Sequence, residues 1–315
     1  LSYDSLEDGH LFWSIQDYTH PKIYDLAQET RRLREIMLYE DYQPLYDKLL
    51  QWQIDTYGEV VDEDIECHAM TEVHVETYRT PDYMLSCAQD YRPGKPGYQQ
   101  HTWQATLGID AVVFTNHPGS DDEGSRPNYW AGNGIMPRAA QHRNVLICIY
   151  RIPEVVPYLF THAYFPQAAF DEVTQTGRWV CARRGAGYIA LYSRQPVTWL
   201  PDGETPNVEL RADGAENVWL CEMGRRSDWG SFDAFVQAVE KAVVAAPAAE
   251  VCYDSPSLGP VRFGWEGPLI VDGREIALHD YPRFDNAYCH VPFAQTRYPI
   301  LREDETLELD FCRTF

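Results

Sequence analysis

Lysine is close to absent. Lys22, Lys48, Lys95 and Lys241 are the only four in 315 residues, so nearly every basic side chain is an arginine. Acidic residues outnumber basic ones, 48 to 26, and the formal net charge is -22. A surface of that sign repels nucleic acid and anionic membranes at long range. It also weighs against a polyanionic substrate, except where a local arginine groove overrides the mean field. Arginine grips carboxylates with a planar two-bond fork that lysine lacks. A GC-rich genome produces the same bias.

Long apolar runs are missing too. No stretch reaches about eighteen apolar residues, which leaves no segment for a membrane-spanning helix, and no signal-peptide pattern is visible. The chain opens on Leu1 and not on Met, so a fragment or a processed product is the expectation. None of the eight cysteines sits at CxxC spacing, which removes the usual structural zinc site. Most lie inside apolar runs, as in Leu146-Ile-Cys-Ile and Val218-Trp-Leu-Cys, and read as small buried hydrophobes. They favour a reducing, cytoplasmic compartment; a secreted or periplasmic one stays open if a signal was removed. There is no Gly-x-Ser-x-Gly, no glycine-rich phosphate loop and no defensible Cys-His pair. No cofactor is expected. His68, Glu72, His74 and Glu76, and the acidic run Asp121-Asp122-Glu123, read as solvated surface before they read as metal ligands. No internal repeat or low-complexity segment is present.

Aromatics are abundant at 13%, with 21 Tyr and 9 Trp, which suits half-buried strands and also the stacking of sugar rings. Residues 1–60 carry helical signals: Leu26, Leu33, Ile36 and Met37 share a face, and Pro44 opens a second helix through Leu45, Leu49, Leu50 and Ile54. This predicts a helical hairpin that ends a larger helical domain. From residue 61 to 315 strand signals recur, beginning with the alternation Glu72-Val-His-Val-Glu-Thr. Leu269-Ile-Val-Asp-Gly-Arg-Glu-Ile predicts a hairpin on a type I′ turn at Asp272-Gly273. One helix interrupts the strands, capped by Asp228 or Ser231, with Phe232, Phe235, Val236, Val239 and Val243 as its apolar stripe. The predicted fold is mainly β: a large antiparallel β-sandwich behind a short helical segment.

Between Tyr98 and Ile152 the chain gathers His, Asn, Arg, Tyr and Trp more densely than elsewhere. His101 lies in a strand with Gln100, Trp103 and Gln104, where polar groups are costly to bury without partners. Asn116-His117-Pro-Gly ends a strand and opens a loop, as site residues often do, and equally as a plain turn does. Arg126, Asn128, Tyr129, Trp130 and Asn133 follow as an aromatic-polar cluster that either contacts a ligand or closes the core. Arg138 and His142 come after a turn, where solvated surface is the alternative.

Several phrases resemble the β region of heparinase II/III-like polysaccharide lyases, which join an α/α toroid to an antiparallel sandwich. They are Val73-His-Val-Glu-Thr-Tyr-Arg-Thr-Pro-Asp-Tyr-Met-Leu-Ser86, Asn128-Tyr-Trp-Ala-Gly-Asn-Gly-Ile-Met-Pro-Arg138, and Gly187-Tyr-Ile-Ala-Leu-Tyr-Ser with Glu216-Asn-Val-Trp-Leu-Cys-Glu-Met-Gly. The second phrase is similar to a segment of hyaluronate lyases, and the third to large bacterial heparinase-like proteins. The resemblance implies β-elimination at a uronic acid: a carboxylate neutraliser, a base for the C5 proton and an acid for the leaving oxygen. Carried onto this chain, it assigns acid-base roles to His101, His117 and Tyr129. It assigns substrate contact to Gln100, Asn116, Arg126, Asn128, Trp130, Asn133 and Arg138. It also implies a polysaccharide or oligosaccharide partner and a further helical domain that holds the rest of the site. A non-catalytic carbohydrate-binding domain and a glycoside hydrolase on a similar sandwich are the competing expectations.

Overall fold

In the computed structural model the chain divides into two compact units, Leu1–Glu72 and Val73–Phe315. The described residues are 73–97, 100–125, 128–201, 206–247, 250–293, 295–302 and 304–310. The helices expected over 1–60 lie outside them. The described part is mainly β, in several antiparallel sheets.

Strands are numbered in chain order. The first sheet runs β1 (His74–Arg79), β2 (Met84–Gln89), β3 (Trp103–Thr106), β4 (Val112–Asn116), β7 (Phe160–Tyr164), β12 (Glu209–Asp213), β11 (Val197–Leu200). The second runs β5 (Arg138–His142), β6 (Val145–Arg151), β13 (Glu216–Arg225), β10 (Gly187–Ser193), β9 (Trp179–Arg184), β8 (Glu172–Thr176). Two helices follow β13: α1 (Arg226–Trp229) and α2 (Phe232–Lys241). The third sheet runs β14 (Val244–Ala245), β15 (Glu250–Ser255), β16 (Gly259–Gly264), β17 (Leu269–Val271), β18 (Arg274–Ile276). Two ribbons complete the described chain, β19 (Phe284–Asp285) with β20 (His290–Val291), and β21 (Arg297–Arg302) with β22 (Glu305–Asp310).

Sequence pattern decides which layer each strand enters. β2 alternates half-buried and buried residues, so one face looks inward. β6 and β13 are apolar almost without break and are buried on both faces. The second sheet is accordingly the middle layer. Its inner face meets the first sheet in a core that includes Leu85, Trp103, Val113, Leu146, Tyr150, Ile189, Leu210 and Trp219. Its outer face, with Val145, Ile147, Tyr188 and Leu220, is covered by Phe235 and Val239 of α2 and by Val251, Tyr253 and Phe263 of the third sheet. Hydroxyls stitch the sandwich from inside: Trp219 Nε1 donates to Thr161 Oγ1 at 2.8 Å, and Thr115 Oγ1 lies 3.1 Å from the Tyr150 hydroxyl.

Ser231 caps α2, accepting from the Ala234 N–H at 3.1 Å, and Asp272 and Gly273 both take positive φ, 48° and 75°, as a type I′ turn requires. Arg138, expected as a substrate contact with solvated surface as the alternative, lies in the interior. It is 6% exposed on β5 and ties three layers together. Its guanidinium donates to both Asp90 oxygens, at 2.8 and 3.1 Å, and to the carbonyls of Gly264 and Gly267, at 2.9 and 2.8 Å. Among the described residues no helix is long and apolar enough to cross a membrane.

Candidate functional site

On the outer face of the first sheet Phe114, Asn116, Phe160, His162 and Glu209 are buried, whereas His101, Gln104, Trp130, Tyr164 and Arg211 keep part of their surface exposed among the described residues. The outward strand residues follow from the period of two. On β7, Ala163 points into the sandwich core and Thr161 bonds across it, so Phe160, His162 and Tyr164 point out. Phe114 and Asn116 of β4, and Glu209 and Arg211 of β12, share that face.

The register lines these residues up. Glu209 pairs with Tyr164, and Tyr164 with Phe114. Ala105 pairs with Val113, which sets Gln104 beside Phe114. Gln104 pairs with Ser86, and Ser86 with Thr77. The row crosses six strands, about 24 Å at the usual strand spacing. A second row places Arg211 against His162 and His162 against Asn116.

Aromatic rings stand along the first row. His101, exposed, stacks on Phe114 at 3.7 Å between centroids, and Tyr164 stacks against Phe114 at 5.2 Å. Trp130 meets Tyr164 edge-on at 5.3 Å and lies flat on His162 at 4.6 Å. Arg211 sits 3.5 Å over the Phe160 ring. His101 Nδ1 lies 3.3 Å from Gln104 Oε1, and the ring also bonds the Trp130 backbone. Desolvation against Phe114 and Trp130 outweighs both bonds and lowers its pKa, so the ring is neutral at neutral pH.

The loop after β4 is pinned over this face from below. Asn116 Nδ2 donates to the carbonyls of Tyr129 and Gly132, at 3.2 and 2.8 Å. Tyr129 is 3% exposed, and its hydroxyl donates to both Glu209 oxygens, at 2.8 and 2.7 Å. Burial and the Glu209 carboxylate raise the Tyr129 phenol well above its ordinary value. His117 is fully buried: Nδ1 accepts from the Ile135 N–H at 3.0 Å, so Nε2 carries the proton and donates to the Tyr158 carbonyl at 3.2 Å. Burial pushes its pKa down to about 4.

The expected site residues therefore separate. His101 and the half-buried Trp130 reach the open face, whereas His117, Tyr129 and Asn116 face the loop's underside and hold it. Arg138 lies in the interlayer clamp, away from this face. Gln100 accepts from Asn133 Nδ2 through its carbonyl, at 2.5 Å. Asn128 and Asn133 line a depression of about 670 Å³ with Gly97, Gly119, Gly132 and Gly134. Arg126 lies outside the described residues. His162, Tyr164, Glu209 and Arg211 were not singled out from the sequence. Aromatics at 158, 160 and 164 with His162 between them supply the period-two signal that marks β7.

The described cysteines are all free, namely Cys87, Cys148, Cys181, Cys221, Cys252 and Cys289. Burial pushes the Cys148 and Cys181 thiols up to about 12, so neither is a nucleophile. Among the described residues no group of three or more His, Cys, Asp and Glu could hold a metal ion. A scan against protein-family models found no match, and comparisons with curated proteins and with solved structures found no significant one.

Proposed function

We propose that this chain supplies the β-sandwich wall of a polysaccharide lyase cleft, which cleaves uronate-containing glycans by β-elimination. The glycan lies across the first sheet, along the row from Tyr164 to Thr77. One observation carries this reading: a straight row on the outer face of the first sheet runs from the rings of Tyr164 and Phe114, with His101 stacked on the latter, to the amide of Gln104 and the hydroxyls of Ser86 and Thr77. Aromatic faces take the apolar faces of sugar rings, and Gln104, Ser86 and Thr77 take the hydroxyls. In this scheme the neutral imidazole of His101 removes the C5 proton, and the Tyr164 hydroxyl protonates the leaving oxygen. Arg211, whose Nε is held by Asp213 Oδ1 at 3.1 Å, turns its remaining guanidinium N–H groups to the uronate carboxylate. In this scheme a further helical domain completes the cleft.

The test is ultraviolet absorbance of the intact protein incubated with a panel of uronate polysaccharides, because elimination creates a conjugated product. A time-dependent rise on any member supports the proposal. A flat trace with measured binding moves the assignment to carbohydrate binding without chemistry. That second reading draws on the two hydrogen bonds already made by His101. A hydrolase with paired carboxylates has less support, since Glu209 is 4% exposed and bonded to His162 and Tyr129.

A further inference from the structure

A separate cavity of about 380 Å³ opens where the β5–β6 turn, the β15–β16 turn and α1 converge. Tyr78, Tyr83 and Trp229 form aromatic walls, and Asn144 and Ser257 form a polar floor. None belongs to the row described above.

The floor is built, not incidental. Asn144 is 8% exposed, and its Nδ2 donates to the Met223 carbonyl and to Ser257 Oγ, each at 2.9 Å. Ser257 Oγ lies 3.2 Å from Ser255 Oγ, which donates to Glu222 Oε2 at 3.0 Å. Glu222 is fully buried behind these residues and holds Ser255 in place without lining the cavity itself.

The rim is fixed as well. Arg143 takes φ 51°, a conformation that non-glycine residues rarely adopt. Its N–H donates to Glu76 at 2.6 Å, and its guanidinium donates to the Tyr78 hydroxyl at 3.3 Å while lying over that ring at 5.4 Å. The opposing rim charge, Asp228, pairs with Arg225 at 3.0 Å. Positive and negative rim groups balance, so the cavity selects for no net charge. Aromatic walls, hydroxyl and amide floor, balanced rim and a volume within the small-ligand range together define the chemistry of the occupant.

We infer that this cavity binds a single neutral sugar ring, free or at the end of a neutral oligosaccharide. The inference does not depend on the lyase reading, because it uses a different face and an uncharged ligand.

The experiment is a titration of the intact protein with neutral mono- and disaccharides, followed by saturation-transfer NMR. At least one sugar should bind saturably, with Kd on the order of a millimolar, as expected for so few ligand atoms. Trp229→Leu removes a wall and Ser257→Ala a floor hydroxyl. Each should weaken binding about three- to tenfold, whereas Tyr164→Ala on the open sheet face should leave it unchanged. If Trp229→Leu does not fold, Ser257→Ala decides, since that side chain is exposed on a turn. No saturable binding by any sugar overturns the inference, as does binding that survives both cavity variants. Loss in Tyr164→Ala alone assigns the sugar to the open face and overturns it too.

Discussion

His162 Nδ1 and Glu209 Oε1 lie 3.0 Å apart in a pair sealed beneath Tyr129 and Trp130. The other His162 nitrogen faces the Tyr129 carbonyl at 3.1 Å, so both ring nitrogens meet acceptors. This pair joins β7 to β12 and anchors the loop that shapes the open face. It is support beneath a surface, not part of the surface.

Glu209→Ala should destabilise the protein by about 3–5 kcal/mol, because it leaves His162 and the Tyr129 hydroxyl buried without their partner. Burial raises the Glu209 carboxyl, but the His162 and Tyr129 contacts more than offset this, and the folded value falls below the ordinary 4.5. A depressed carboxyl contributes stability that is complete above pH 4.5 and fades as pH falls through the folded value. Thermal melts across the acid range check both points: the wild type should lose melting temperature below that pH more steeply than Glu209→Gln.

Glu222 carries the opposite sign. Burial raises its carboxyl above 4.5 despite hydrogen bonds from Tyr253, Ser257 and Ser255. A raised carboxyl contributes stability that is complete below pH 4.5 and fades as pH climbs through the folded value. Glu222→Gln keeps an acceptor for Tyr253 and Ser255 and cannot ionise. Its melting temperature should gain on the wild type as pH rises from 4.5. A gap that is constant with pH would show that Glu222 does not titrate in this way.

How much of this was legible in the sequence depends on what decides each element. Continuous apolar runs fixed β6 and β13 within a residue or two, because burial on both faces leaves little choice of residue. The Asp272-Gly273 turn and the Ser231 cap were legible because local backbone chemistry decides them. β7 shows a period of two in Tyr158, Phe160, His162 and Tyr164 but was not singled out, since both of its faces are buried and the polar His162 among them finds its partners only on a distant loop and strand. β5 was missed for a related reason: Ala139, Ala140 and Gln141 have modest strand preference, and only the sheets on both sides hold them there. Of the candidate site, the density of His, Asn and Trp pointed to the loop that packs on the outer face of the first sheet. Which side chains face outward is a matter of register, and strand pairing between distant segments sets it.

Arg138→Lys should cost about 2–4 kcal/mol in denaturant unfolding, although charge is retained. A lysine cannot donate to both Asp90 oxygens and to the carbonyls of Gly264 and Gly267 together, and it loses the stack on Phe263 at 4.6 Å. Binding at the open face should be unaffected when assayed well below the variant's melting temperature.

His101 and His117 give the sharpest separation between surface and support. His101→Ala removes an exposed ring whose main contact is the outer face of Phe114, so stability should change by less than about 1 kcal/mol. Glycan binding or turnover should fall at least tenfold if the row is used. His117→Ala strands the Ile135 N–H and the Tyr158 carbonyl and leaves a void beneath Gly134, so it should cost about 2–4 kcal/mol. It should alter binding only through the loop. Melting temperature and glycan affinity measured on both variants decide the assignment. Full affinity in a well-folded His101→Ala protein would remove the row from the site, and would leave the glycine-lined depression as the part of this face to test next.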